Sequence, residues 1–167
     1  GLNEFRNVYH FMELLKYKTQ EIENRLNESI EYFINAESYF EKLKIMESII
    51  QINQLLGAIF EILDDAEKSV QSYEKGLEYS DLANDISSKF SILKKLVDIH
   101  LKNDQPFEVI KRIDMLLYEL APIAYLDLFT IARFHYLLGK TLLQVGQYKE
   151  ALSEHVVALN IYDKIER

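Results

Sequence analysis

The stretch LLGAIFEILDDAEKSVQSYEKGLEYS, residues 55–80, decides the fold. Two helical patterns lie on either side of an acidic pair, and small residues stand at Gly57, Ser69 and Gly76. A glycine inside a helix costs about 1 kcal/mol relative to alanine, so something must offset that cost. Close approach of two helices is the usual reason, and the stretch therefore predicts a helical hairpin whose helices cross at these small residues.

The composition favours an all-helical domain and excludes several kinds of protein. Only five glycines and two prolines interrupt 167 residues, of which 49% are hydrophobic. The absence of cysteine excludes disulfides, thiol catalysis and thiolate metal sites, and it favours an intracellular location. The most apolar region, residues 115–138, is broken by charged residues and a proline, so it does not make a clean membrane span. We expect a cytoplasmic protein without a membrane segment.

The charge distribution argues against nucleic acid as a partner. The net charge is −8, and the acidic excess lies in the first half of the chain. Binding to phosphates requires grouped lysines and arginines, and the sequence has no such cluster. We therefore expect no nucleic-acid partner, and we interpret most of the acidic residues as a solvated surface.

The spacing of small residues returns near the C-terminus, in HYLLGKTLLQVGQYKEALSEHVVALNIYD, residues 135–163. The number of residues from Gly139 to Ala151 is the same as the number from Gly57 to Ser69. Two weaker copies share this register, and the copies recur at roughly 40 residues. The first positions of the four copies are Tyr17, Gly57, Val97 and Gly139.

This recurrence resembles the tetratricopeptide repeat, a hairpin of two helices that cross closely at small residues. The resemblance implies an all-α fold, a right-handed superhelical array of four antiparallel helical hairpins, or α-solenoid. We expect a single helical-repeat domain over residues 1–167, with repeats at about 3–42, 46–82, 87–120 and 126–165. The first repeat is expected to consist of two helices, at 3–17 and 20–42.

In this family the first helices of the hairpins line a concave groove that holds a peptide or a partner helix. The resemblance places Lys94, Arg133 and Lys140 together in that groove, where they could bind a carboxylate or an acidic peptide through charge-assisted hydrogen bonds. Ordinary solvated charges are the alternative interpretation. The candidate groove residues are Gln51, Gln54, Glu61, Lys94, Asp98, Lys102, Arg133, Tyr136, Lys140 and Gln144.

The sequence offers little catalytic chemistry. None of the HExxH, GxxxxGK[ST] and GxSxG motifs occurs, and we predict no catalytic residues, no cofactor and no metal ligands. His135 and His155 are expected to face each other within the last hairpin. They are either packing residues or the centre of a small-molecule or metal site, which would need two more ligands.

The leading hypothesis is therefore a noncatalytic scaffold that binds a protein or peptide. Repeats of this long period resemble those of bacterial signalling proteins, where they accompany diguanylate cyclase, histidine kinase or DNA-binding domains. On that resemblance we expect the chain to be the regulatory segment of a larger protein. The first alternative is a homodimerisation module that uses an apolar C-terminal end face at Leu152, Val156 and Leu159. The second is a small-molecule or metal binder near the two histidines.

Overall fold

The computed structural model describes residues 2–124 and 126–166, with side chains from residue 16 onward. Every regular element in these residues is helical, which confirms the all-α prediction. Within this part of the chain no helix is both long and apolar enough to cross a membrane. The elements are α1 (Leu2–Leu43), α2 (Met46–Ile62), α3 (Ala66–Ala83), α4 (Ile86–Lys102), α5 (Pro106–Asp114), a π-helical turn (Met115–Leu120), α6 (Ala121–Ala124), α7 (Leu128–Gln144) and α8 (Tyr148–Ile165).

Three helical hairpins, α2–α3, α4–α5 and α7–α8, stack in chain order to form the solenoid. Each hairpin closes through a short turn whose middle residue has a left-handed backbone, at Asp64 (φ 57°), Asp104 (φ 52°) and Gly146 (φ 81°). Asp65, the residue after the first of these, caps α3, since its side chain accepts a hydrogen bond of 3.1 Å from the Lys68 amide. Such short turns make the two helices of each hairpin antiparallel neighbours.

The first expected repeat differs from the prediction. Residues 3–17 and 20–42 do not form two helices, because α1 runs without interruption from Leu2 to Leu43. The predicted turn, Tyr17-Lys18-Thr19-Gln20, contains no glycine or proline. Just beyond it, Arg25 bonds to Glu21 at 2.8 Å, an i,i+4 pair that favours a continuous helix. The C-terminal half of α1 packs on α2, and the array therefore begins with one long helix followed by three hairpins.

The small residues act as predicted within the hairpins. A Cβ at Gly57 would lie 2.7 Å from the Tyr73 ring, and Ser69 Oγ donates a 2.9 Å hydrogen bond to the Gly57 carbonyl. In the last hairpin a Cβ at Gly139 would lie 2.5 Å from the His155 ring and 3.1 Å from the Ala151 carbonyl. Both glycines make room for a ring from the second helix, and this close packing offsets their helix cost.

The core is continuous through the three hairpins, and its centre lies in the middle one. Its centre is formed by side chains of α4, α5 and the π-helical turn that are fully enclosed by the helices on either side. Burying a side chain of this size stabilises the fold by about 1.5–3 kcal/mol. The residues with no measurable exposure there are Ile92, Leu93, Leu96, Val109, Ile113 and Leu116.

Candidate partner-binding groove

Three of the predicted groove residues meet at one cavity between α4 and α7. The cavity has a volume of about 250 Å³, and Lys94 and Asp98 from α4 line it together with Arg133 from α7. The remaining lining is Thr130 and an apolar set that consists of Val97, Phe129, Phe134 and Leu137. Charged groups thus stand beside an apolar floor, an arrangement typical of sites that bind an extended segment by both its backbone and its side chains.

Three of the predicted groove cations form no ion pair within the part of the chain whose side chains the structure describes. Lys94, Arg133 and Lys140 are exposed, and the structure pairs none of them with a carboxylate among the described residues. Lys94 Nζ lies instead 5.4 Å from the centroid of the Phe90 ring, a cation–π distance. By contrast, Lys95 and Arg112 both form ion pairs. The α4–α7 groove therefore presents two cations that form no described ion pair, although the carboxylate of Asp98 lines the same cavity.

Two predicted groove residues connect neighbouring hairpins instead. Lys102, at the end of α4, donates a 2.8 Å bond to Asp64 in the turn of the preceding hairpin. Gln144 occupies the equivalent place on α7 and donates a 2.6 Å bond to Asp104. The Lys102 ammonium lowers the pKa of the Asp64 carboxyl by hydrogen bonding. These bonds form a repeating link along one edge of the array, because the same place in successive repeats makes the same contact.

Glu61 lies away from the α4–α7 cavity and is already engaged. It accepts hydrogen bonds from the Tyr73 hydroxyl at 2.5 Å and from Lys95 Nζ at 3.3 Å. With Asp98 and Lys102 it lines a second cavity, of about 180 Å³, beside the turn that follows α2. Burial, and then Glu61 itself, raise the pKa of the Tyr73 phenol well above its ordinary value.

The other four predicted residues are at least partly exposed but line neither of these cavities. Gln51 and Gln54 lie on α2, with Gln54 half-buried. Lys140 follows Arg133 by two helical turns and so extends the positive face along α7. Tyr136 contacts the ring of His155 at a centroid distance of 5.6 Å.

The two histidines of the last hairpin have different surroundings. The ring of His135 pairs with Glu154, its Nδ1 being 2.6 Å from the carboxylate Oε2. His155 fills the space above Gly139, and its Nε2 is buried without a hydrogen-bond partner. Among the described residues no group of three histidine, aspartate or glutamate side chains could hold a metal ion. The structure thus shows two packed histidines, one of them hydrogen-bonded to a carboxylate.

A polar cluster that the sequence did not indicate surrounds His135. Tyr118 donates a 3.2 Å hydrogen bond to Glu154, while burial, followed by the charge of Glu154, raises the pKa of Asp114. Asp114 and Tyr118 come from α5 and the π-helical turn, whereas His135 and Glu154 come from the next hairpin. No spacing in the sequence could have indicated the cluster, because it forms only when the two hairpins pack.

Comparisons with known proteins agree with this architecture. The family profile described as tetratricopeptide repeat matches residues 50–81. Among solved structures, the crystal structure of BtubC (BKLC) from P. vanneervenii is similar, with a TM-score of 0.67 and 15% sequence identity. The similarity covers 86% of this chain and 59% of that one, so the chain spans less than two thirds of the length of BtubC. No curated protein matches the sequence.

Proposed function

We propose that this chain, in which residues 50–81 form a tetratricopeptide repeat, is a noncatalytic scaffold that binds an anionic peptide or protein segment in the α4–α7 groove. Tetratricopeptide repeats mediate protein–protein interactions, and arrays of helical hairpins present extended surfaces for this purpose. The observation that carries the proposal is the pair of exposed cations, Lys94 and Arg133, which line the α4–α7 cavity and form no ion pair with a carboxylate among the described side chains.

The expected ligand follows from the chemistry of the groove. Carboxylates of the ligand would accept charge-assisted hydrogen bonds from Lys94 and Arg133, while an apolar side chain would enter the cavity between them. Asp98 lies in the same cavity and repels a carboxylate placed next to it. We therefore expect the acidic groups of the bound ligand to lie close to Lys94 and Arg133 and away from Asp98.

The test uses three short fluorescent peptides with a central phenylalanine flanked by glutamates, glutamines or lysines. We expect the glutamate peptide to bind most tightly, and its affinity to fall as salt rises, because exposed charges are screened within about 10 Å at 0.1 M. The double variant K94E/R133E should weaken its binding by roughly tenfold or more, since hydrogen bonds to charged groups contribute about 1.5–3 kcal/mol each.

The control variant makes the same change of charge elsewhere. Lys149 and Lys164 are exposed on α8, outside the α4–α7 cavity, and K149E/K164E reverses the same number of charges. Equal loss of binding in both double variants would indicate a nonspecific effect of net charge. Unchanged binding in K94E/R133E, or preference for the lysine peptide, would contradict the proposed site.

The α8 face supports self-association as a second candidate function. Leu152, Val156 and Leu159 form an apolar stripe on α8, and they are 65%, 47% and 60% exposed. Exposed apolar patches of this kind often mark association surfaces. Under this hypothesis a second copy covers the stripe, and L152K/L159K should abolish concentration-dependent association in sedimentation experiments.

The wider context proposed here is a regulatory segment of a cytoplasmic bacterial signalling protein, organised as one helical-repeat domain. It rests on the resemblance of the repeat period to that of such proteins. A second activity attached to this array would be expected to respond when the groove is occupied. The experiment is to join the native flanking sequence to the array and to ask whether a groove ligand changes the behaviour of the attached part, with K94E/R133E as the unresponsive control.

A further inference from the structure

The sequence of α1 carries a heptad pattern along most of its length. Apolar or small residues recur at alternating spacings of three and four, the a and d positions of a coiled coil. The pattern continues without a break into the half of α1 that packs on α2. The residues at these positions are Phe5, Val8, Met12, Leu15, Thr19, Ile22, Leu26, Ser29, Phe33, Ala36 and Phe40.

Exposure divides this single stripe into two parts. From Leu26 to Phe40 its members are all at least partly buried. Ile22, one turn before Leu26, is 56% exposed, and every described side chain from residue 16 to residue 25 is exposed. A 42-residue helix is roughly 63 Å long. Helical stability in proteins comes mostly from packing of an apolar face, so the exposed Ile22 favours a partner that covers this part of the helix.

The charges beside the stripe indicate which partner fits. Lys18 stands at a g position and Glu23 at the e position of the next heptad. In a parallel two-stranded coiled coil, the g residue of one helix faces that e residue of the other, so Lys18 would meet Glu23 of a second copy twice by symmetry. Within one helix the two residues are five apart and do not face each other. Neither forms an ion pair with another described side chain, as the Arg25–Glu21 pair nearby does.

We propose that α1 forms a parallel, in-register coiled coil with α1 of a second copy of this chain over residues 5–26. In this arrangement the stripe contacts the second copy up to residue 26, and beyond residue 26 it packs on α2 of its own chain. The pattern spans about three heptads, the length at which such a repeat becomes a coiled-coil signal. This surface differs from the α8 face and from the α4–α7 groove.

The direct test uses the absence of native cysteine. Ile22→Cys places one thiol at a d position, where the two copies of a parallel coiled coil bring their Cα atoms within the reach of a disulfide, usually 4.4–6.8 Å in proteins. Mild oxidation should link Ile22→Cys into a covalent dimer. The matched variant Asn24→Cys lies at an f position on the outside and should stay unlinked. Equal or absent crosslinking in both variants would overturn the proposal.

Sedimentation equilibrium supplies the second arm. Ile22→Lys should raise the dimer dissociation constant by at least roughly tenfold, because a charge would be buried at the seam. Ile22→Leu should retain the dimer, and helicity should not change in either variant. K18E or E23K alone should weaken association, whereas K18E/E23K should restore it. A monomer at all concentrations, or a dimer lost only in L152K/L159K, would contradict the α1 interface.

Discussion

Gly57 and Tyr73 show how one absent side chain sets the distance between two helices. The Tyr73 ring occupies the space that a Cβ at position 57 would need, and its hydroxyl reaches Glu61 one turn further along α2. The requirement for a small residue could be predicted from spacing alone, because the pattern recurs at Gly139. The identity of the ring could not be predicted, since a tyrosine ring lies beside Gly57 and a histidine ring lies beside Gly139.

Gly57→Ala should destabilise the protein although alanine is the better helix former. The helix preference gains about 1 kcal/mol, whereas overpacking against the ring costs about 1–3 kcal/mol. We expect a net loss of about 1 kcal/mol in the free energy of unfolding, measured by urea denaturation. The same substitution in a Tyr73→Leu background should be neutral or stabilising. A stabilising effect of Gly57→Ala in the wild-type background would mean that the Tyr73 ring does not pack closely against position 57.

At the scale of the element, α1 is where the sequence was misinterpreted. The register of small residues predicted a turn near residues 17–20, but Tyr17, Ser29 and Ala36 also fit one uninterrupted amphipathic helix. Periodicity alone cannot distinguish these cases, because both keep the same residues on one face. The decisive difference is the backbone at the expected turn. Each of the three hairpins turns at a residue with a left-handed backbone, whereas α1 stays helical through residues 17–20.

The start of α4, in contrast, follows from local chemistry, because aspartate is among the preferred residues for capping the N-terminus of a helix. Asp85 accepts a 3.0 Å hydrogen bond from the Ser88 amide at the start of α4. The Ser88 hydroxyl and amide lower the pKa of the Asp85 carboxyl in the folded protein. Because the folded pKa lies below the unfolded one, the stabilisation is fully present above the unfolded pKa and is lost as the pH falls through the folded pKa.

Asp85→Ala should therefore lower the free energy of unfolding by about 1 kcal/mol at neutral pH. The difference from wild type should shrink as the pH falls below about 4, the ordinary pKa of an aspartate. Denaturation curves at several pH values measure this. Asp85→Asn provides the control, because asparagine caps helices without titrating. A pH-independent difference between wild type and Asp85→Ala would contradict the cap as the cause.

At the scale of the whole molecule, the repeat predicted the helical array, and three of the ten candidate groove residues meet at one cavity. Lys94, Asp98 and Arg133 converge on one cavity because they occupy equivalent faces of α4 and α7. Lys102 and Gln144 share that equivalence, but they lie at the ends of their helices, beside the preceding turn. The sequence could not distinguish these roles, since the distance between stacked hairpins decides which side chain reaches a partner. The α4–α7 groove remains a prediction for the binding experiment.

The position of Tyr73 also makes the protein's absorption spectrum a measure of its folding. The chain has eleven tyrosines and no tryptophan, and among the tyrosine side chains described only Tyr73 is buried. Because its pKa is raised in the folded protein, the stability that it contributes is full below about pH 10, the ordinary pKa of tyrosine, and falls above it. In an alkaline titration followed in the near ultraviolet, exposed phenols should ionise first and reversibly. The Tyr73 phenol should ionise later than these, together with the loss of helical circular dichroism, and Tyr73→Phe should remove that late step.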